Sequence, residues 1–232
     1  MSSIKVDIHI HSKFSRCSSL TVDFLVDQTR KSKVPVVVCT DHGDIGAVHR
    51  LMKELPDTLI IPAVEVEADE GDFLVYSGEI GVIDELAHFE GSVSRLAKDA
   101  GIAVVWAHPR LSQHVDFAKL SENYPERGLP DEEMLMTILP HIDGLEYFNG
   151  TILDLAASGL VRPTYFKNMA YLAQKYHLAR TGGSDAHQQE LWLKVWTEFP
   201  EPLGGASDFV RAIKESKVRP NYDHDYFKTR ID

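Results

Sequence analysis

The chain has 232 residues, 44% of them hydrophobic and 25% charged, which suits a soluble α/β domain with a sizeable core. Its formal net charge is −11, which argues against tight non-specific binding to nucleic-acid backbones, although clustered acids and histidines also hold cations. No run of 18 apolar residues, no apolar signal-peptide core in MSSIKVDIHIH and only two cysteines, Cys17 and Cys39, exclude a membrane span and a disulfide framework and make a cytoplasmic location the expectation. In chain order, KVDIHIH reads as a strand and TVDFLVDQTRKSK as a helix with Thr21 as N-cap. VPVVVCTDH is a continuous apolar run, as in a parallel strand buried on both faces, and IGAVHRLMKEL is helical. TLIIPAVEVEA and DFLVYSG read as strands, antiparallel across DEGD. DELAHFEGSVSRLAKDAG predicts a helix closed by Gly101, and IAVVWAHP a strand broken by Pro109. Residues 110–130 look irregular; PDEEMLMTIL follows as a short helix with Met134 and Met136 packing in the core, then DGLEYFN as a strand. TYFKNMAYLAQKYH is helical, LARTGGSDAH a strand running into a loop, LWLKVWTEF a strand carrying Trp192 and Trp196, and GASDFVRAIKESK a helix. The alternation implies βα units around a mostly parallel sheet in one domain, residues 1–232, with its site at the C-terminal ends of the strands.

Asp7, His9 and His11 occupy every second position of DIHIH, so a strand places them on one face. Two imidazoles about 6–7 Å apart along a strand can converge on one ion, or they can decorate an exposed edge; from this stretch alone both readings stand. Other strand ends add to it: Asp41 and His42, Glu65 and Glu67, His108, Glu146 and Asn149, Asp185 and His187. Imidazole with carboxylate is the ligand set of Zn, Mn and Fe hydrolytic sites, and a carboxylate such as Glu65 can bridge two ions. Asp7 and Asp41 read as groups that orient imidazoles or cap backbone. His49, His88, His141, His177 and His224 lie in helical or loop patterns and read as surface histidines.

H-x-H, T-D-H, a Glu-bearing strand, A-H-P and G-S-D-A-H, in that order from residue 7 to about 200, resemble the polymerase and histidinol phosphatase (PHP) family, above all its small stand-alone phosphoesterases. HIHSKFSR is also similar to the opening of endonuclease Q. The resemblance implies a distorted seven-stranded (β/α)7 barrel that hydrolyses phosphoesters with two or three divalent ions, Mn, Fe or Zn. It implies His9, His11, Glu65 and Asp185 around one ion, Glu65 bridging to a second shared with His108, and His42 and His187 at a third. Two positions depart from the family pattern. Cys17 stands six residues after His11, where many relatives carry Asp or His, and is either a thiolate ligand or a lost one; Asn149 stands where several carry His and offers only a neutral oxygen.

The implied mechanism activates a water between two ions for in-line attack on phosphorus, with Arg110 and the metals stabilising the charge that builds on phosphate oxygens and with Asp185 or His187 protonating the leaving group. Lys13, Arg16, Arg110 and His114 are the candidates for phosphate contact. A small phosphate monoester or a nucleotide is the expected substrate. A nuclease acting on DNA or RNA, of the endonuclease Q type, and a catalytically silent PHP scaffold module are the alternatives.

Overall fold

The computed structural model describes residues 3–96, 101–109, 132–159, 161, 164–199 and 202–228. The chain opens with β1 (Ile4–Val6), and α1 (Val22–Ser32) follows. Thr21 caps α1 as expected, its Oγ1 accepting from the Phe24 amide at 3.1 Å. The helix buries Val22, Leu25, Val26 and Thr29, one face at helical spacing. β2 (Val36–Val38), α2 (Gly46–Glu54), β3 (Leu59–Ile61), β4 (Ala63–Ala68), β5 (Gly71–Ser77), α3 (Ile80–Leu86) and β6 (Ile102–Trp106) come next. The later elements are α4 (Glu132–Ile138), β7 (Gly144–Asn149), α5 (Gly150–Ala157), α6 (Thr164–Lys175), β8 (Ala179–Gly183), β9 (Val195–Phe199), α7 (Ala206–Lys214), β10 (Arg219–Tyr222) and α8 (His224–Phe227).

The strands form a five-stranded sheet, β4-β5-β6-β7-β8, a parallel pair, β2-β3, and an antiparallel sheet, β1-β9-β10. Within the five-stranded sheet β4–β5 and β5–β6 are antiparallel, while β6–β7 and β7–β8 are parallel. The sheet is therefore mixed rather than mostly parallel, since the tight turn between Ala68 and Gly71 permits only an antiparallel return. Among the described residues no continuous ladder closes a seven-stranded barrel, and the architecture is a mixed α/β fold. β5 is buried along its whole length. Phe73 and Val75 join one apolar cluster with Leu25, Leu51 and Phe166; Leu74 and Tyr76 join another with Val38, Phe199 and Phe209. Each such side chain contributes about 1.5–3 kcal/mol of apolar burial.

Some elements differ from the sequence reading. The helix expected across residues 84–101 stops at Leu86. Glu70 takes the Val93 amide at 2.8 Å and the Ser92 hydroxyl, holding a short 3-10 turn at Val93–Arg95 instead, and Gly91 turns with φ 110°. The LWLKVWTEF strand is shortened to β9, because Leu193 adopts φ 56°. Trp192 thus lies outside the strand and meets Phe24 edge-on, and Trp196 carries Lys5 Nζ 4.1 Å from its ring centre. Met136 is exposed, not core, whereas Met134 packs partly against the core. The irregular segment at 110–130 lies outside the described residues. No described helix is long and apolar enough to cross a membrane.

Candidate metal centre

Past β1 the chain runs beside the segment that follows β8. The Asp185 amide donates to His9 O at 2.8 Å and the His11 amide to Ala186 O at 3.0 Å. Thr40 joins from the other side, its amide donating to Ile10 O at 2.8 Å. These backbone bonds bring DIHIH, TDH and GSDAH to one place, and β4 adds Glu65, whose neighbour across an isolated bridge is His42.

Four donors meet first. His9 Nε2 and His11 Nε2 stand 3.0 Å apart. Glu65 Oε2 lies 3.3 Å from the former and 3.0 Å from the latter, and Asp185 Oδ1 lies 3.4 and 3.2 Å from them. A tetrahedral ion with bonds of about 2.0–2.1 Å spaces its donors by about 3.3 Å. The second oxygen of Glu65 turns to His108 Nε2 at 3.2 Å and has no hydrogen-bond partner. His9, Glu65 and His108 thus make a second group of donors. Cys17, His42 and His187 gather beside His11 in a third, with donor atoms within 4.8 Å of one another.

The hydrogen bonds set the tautomers. His9 Nδ1 donates to Glu146 Oε1 at 3.0 Å, which leaves a lone pair on Nε2. Ser15 Oγ donates to Asp41 Oδ1 at 2.6 Å, so it accepts from His11 Nδ1 at 3.3 Å. His187 Nδ1 donates to Asp185 O at 2.8 Å. Three imidazoles therefore aim Nε2 lone pairs inward, two of them at each other and at carboxylates. Such an arrangement demands a cation. In its absence a proton takes the place. Burial would depress His9, His11 and His108, but the Glu146, Asp185 and Glu65 carboxylates around His9 push it well above the ordinary imidazole value. Hydrogen bonds to Asp185 and Glu65 push His11 up to about 9, and the Glu65 carboxylate, 3.2 Å from His108 Nε2, pushes His108 up to about 9 as well. Burial opposes ionisation of Glu65 and Asp185, yet the His9 charge holds both well down. Burial lowers His42 and His187 and pushes the Cys17 thiol up. Paired lone pairs, an orphaned carboxylate oxygen and metal-like donor spacing fit a cluster of divalent ions.

Glu146 is the functional candidate that pattern reading left without a role. Besides His9 Nδ1 it accepts from the His108 amide at 2.8 Å and from Asn149 Nδ2 at 3.0 Å. Its signal in the sequence is LEYFN, where it precedes Asn149 by three. Residues three apart in a regular strand face opposite ways. A register irregularity between Glu146 and Phe148 in the β7–β8 ladder breaks that parity, and both side chains face the cluster. Asn149 is not placed as a ligand: Nδ2 donates to Glu146 and Asp185, and Oδ1 caps α5 by accepting from the Ile152 amide. Asp7 and Asp41 orient no imidazole directly. Asp7 accepts from the Ser184 amide at 2.9 Å and the Leu193 amide at 3.0 Å; Asp41 accepts from the amides and hydroxyls of Ser12 and Ser15. Both capping readings hold, and the orienting falls to Glu146 and Ser15.

Glu67 shares a face with Glu65 but stands at the rim, 52% exposed, 3.6 Å from His42 Nδ1. The cluster opens there into two adjoining clefts. One of about 360 Å³ runs past His42 and Glu65 to His88 and Glu90; the other, of about 430 Å³, holds Phe14, Arg16, Cys17 and Asp44. His88 is thus a cleft residue, while His49 pairs with Asp84 on the surface and His224 packs on Tyr222. Arg16 lines the second cleft, Lys13 is exposed, and Arg110 and His114 lie outside the described residues. His108 at φ 23° and Asp185 at φ 54° hold strained backbone at the site, a conformation that Asp accepts more readily than most residues.

Fold and site together define an α/β protein with a histidine–carboxylate centre suited to several divalent cations. A PHP-associated family model matches residues 167–218. No curated protein matches the chain in sequence. Among solved structures, PsfC from Pseudomonas syringae is 17% identical with a TM-score of 0.67, over 98% of this chain and 95% of that one. A two-domain protein from Bacteroides vulgatus containing a predicted PHP-like metal-dependent phosphoesterase is 16% identical with a TM-score of 0.62 over 96% of this chain, which spans 66% of that protein's length. A candidate metal-dependent phosphoesterase from Bifidobacterium adolescentis is 19% identical with a TM-score of 0.55, over 90% of this chain and 94% of that one. These structures share the fold of this chain, and the match to the PHP-associated family model spans residues 167–218.

Proposed function

We propose that the chain, as a single domain, is a metal-dependent phosphoesterase acting on small phosphate monoesters or nucleotides. The observation that carries this reading is the placement of Glu65, whose two oxygens face two different sets of imidazoles. A carboxylate so placed would help to hold two cations, whose charge would be available to one phosphate. His9, His11 and Asp185 complete the first position, His108 adds to the second, and Cys17, His42 and His187 make the third. Divalent ions there, Mn, Fe or Zn, supply positive charge for phosphate oxygens and acidity for a water. The chain's own residues orient and select. Glu146 and Ser15 hold His9 and His11 in one tautomer. His187 serves as a donor rather than an acid, because Asp185 O fixes its Nδ1 proton and leaves Nε2 to the cluster. Arg16 stands beside the third position for an anionic oxygen, and the exposed ring of Phe14 offers an apolar face for the leaving group.

The monoester preference rests on the walls of the clefts, where Asp44, Glu67 and Glu90 repel a polyanion. The accompanying fold reading is the seven-stranded barrel. Its support is the set of single bridges, Ile10 with Ala186 and His42 with Glu65, that link the three sheets around the site. Nucleic acid is not the preferred partner on this reading. The test loads the protein with Mn, Zn or Fe in turn and offers p-nitrophenyl phosphate, its bis ester, nucleoside monophosphates and short oligonucleotides. Release of inorganic phosphate from monoesters is expected. Cleavage of oligonucleotides without monoester turnover would replace the reading by a nuclease, and full metal content without any turnover would replace it by a scaffold.

A further inference from the structure

The donors of the cluster are not chemically alike. The first two positions carry the carboxylates of Glu65 and Asp185, while the third carries none within its donor set and has the Cys17 thiol instead. His11, the fourth member of that set, is already engaged at both nitrogens. Its Nδ1 faces Ser15 Oγ at 3.3 Å, and its Nε2 faces Glu65 at 3.0 Å and Asp185 at 3.2 Å. The third position is therefore left with Cys17, His42 and His187 as its own donors. His42 Nδ1 is buried without a hydrogen-bond partner, with Glu65 Oε2 at 3.4 Å and Glu67 Oε1 at 3.6 Å as its neighbouring carboxylates, so the ring stays open to an ion. Cys17 sits in the exposed turn after DIHIH and faces the second cleft, where an ion can reach it. The other cysteine cannot substitute. Cys39 is fully buried and its thiol donates to Asp41 Oδ2 at 3.3 Å.

We propose that Cys17, His42 and His187 form a soft, thiolate-bearing position that takes Zn²⁺ in preference to Mn²⁺ or Mg²⁺, beside two harder, carboxylate-bearing positions. The chemistry follows from ligand type: thiolate with imidazole suits Zn²⁺ and its stand-in Co²⁺, whereas carboxylate suits Mn²⁺. The cluster is then mixed by design of its ligands, and the position next to Phe14 and Arg16 is the zinc position. This inference rests on the metal-centre reading above, and one titration separates the two.

The metal-free protein is titrated with Co²⁺ and its absorption followed. Visible d–d bands report Co²⁺ at any protein position; a near-ultraviolet sulfur-to-cobalt charge-transfer band reports a bound thiolate, and only Cys17 can provide it. The wild type is expected to show both. Cys17→Ser is expected to lose the charge-transfer band and one equivalent of Co²⁺ while keeping the remaining d–d absorption. It should also release Zn²⁺ to a chelator roughly tenfold or more readily. Cys17→Asp is expected to keep the equivalent, lack the charge-transfer band and gain Mn²⁺ binding at that position. Two or more equivalents of Co²⁺ in the wild type with no charge-transfer band would overturn the thiolate position and leave the metal centre standing. No Co²⁺ binding at all would overturn both. Circular dichroism of the variants guards against misfolding, and the exposed turn makes each substitution tolerable to the core.

Discussion

At the scale of single residues, the site is governed by which nitrogen of each histidine is free. Glu146 fixes this for His9, a residue with no exposure and three carboxylates within 3.4 Å. Glu146→Gln removes the charge that makes His9 Nδ1 a firm donor. Metal affinity is expected to fall about 10- to 100-fold with little change in fold, read by chelator competition and circular dichroism. Unchanged affinity would reduce Glu146 to a backbone clamp for His108. Protons compete for the same lone pairs. In the metal-free protein His11 and His108 are raised from 6.5 to about 9, so they add stability that is complete below pH 6.5 and lost as pH rises through 9. Metal binding needs the deprotonated rings and strengthens across that same window. The melting temperature of the metal-free protein should therefore fall between pH 6.5 and 9 while apparent metal affinity rises; two flat curves would show that these rings carry no proton before the metal arrives.

At the scale of elements, close backbone approach decides where the donors stand. Gly183 ends β8 beside His9, and a Cβ there would lie 2.4 Å from His9 Cβ and 2.7 Å from Glu146 Oε1. Gly183→Ala must therefore push His9 away from Glu146 or shift β8. A stability loss of about 1–3 kcal/mol is expected from overpacking, with at least one metal equivalent lost, measured by denaturant unfolding and elemental analysis. Full metal content in a folded Gly183→Ala protein would mean that the strand ends can separate without harm to the centre. Gly46 plays a comparable part at the mouth, since a Cβ there would meet the Phe14 ring at 2.3 Å. The absence of a side chain at the start of α2 gives Phe14 its seat in the cleft. Phe14→Ala is expected to raise KM for nucleotides more than for a small alkyl phosphate and to leave kcat for the latter unchanged; equal effects on both would remove the ring from leaving-group recognition.

At the scale of the whole molecule, the candidate centre joins segments from residue 9 to residue 187, so ions held there would tie an early and a late segment of the chain to β4. Ligands that bind only the folded state stabilise by mass action, about 2.7 kcal/mol at a hundredfold excess over Kd. For a chain of this size each kcal/mol shifts the midpoint by about 2–4 °C. Chelation is expected to lower the melting temperature by about 5–10 °C, reversed by Zn²⁺ or Mn²⁺. No shift on chelation would place the ions, if bound, outside the folding unit.

The ligand-type residues were readable because their signal is local. H-x-H places two imidazoles on one face of a strand by parity alone, and TDH, AHP and GSDAH each end an apolar run, where α/β folds build their sites. Thr21 as a helix cap and the β4–β5 hairpin were readable for the same reason, since a side-chain oxygen and a four-residue turn act on their own neighbours. What lay beyond the sequence depends on partners distant in the chain. Glu146 and Asn149 share a face only because β7 slips register against β8, and the slip is set by how two strands pair, not by LEYFN. The helix expected up to Gly101 was cut short by Glu70, a carboxylate more than twenty residues earlier that captured its would-be middle. Glu65 and Glu67 were indistinguishable by parity and separated only by depth, one sealed inside and the other at the rim. The sequence by itself thus determined the donor types and their order, because periodicity and caps are short-range; the tertiary structure alone decided which nitrogen of each ring is free and which carboxylate is sealed inside, because register and burial arise only when remote segments pack.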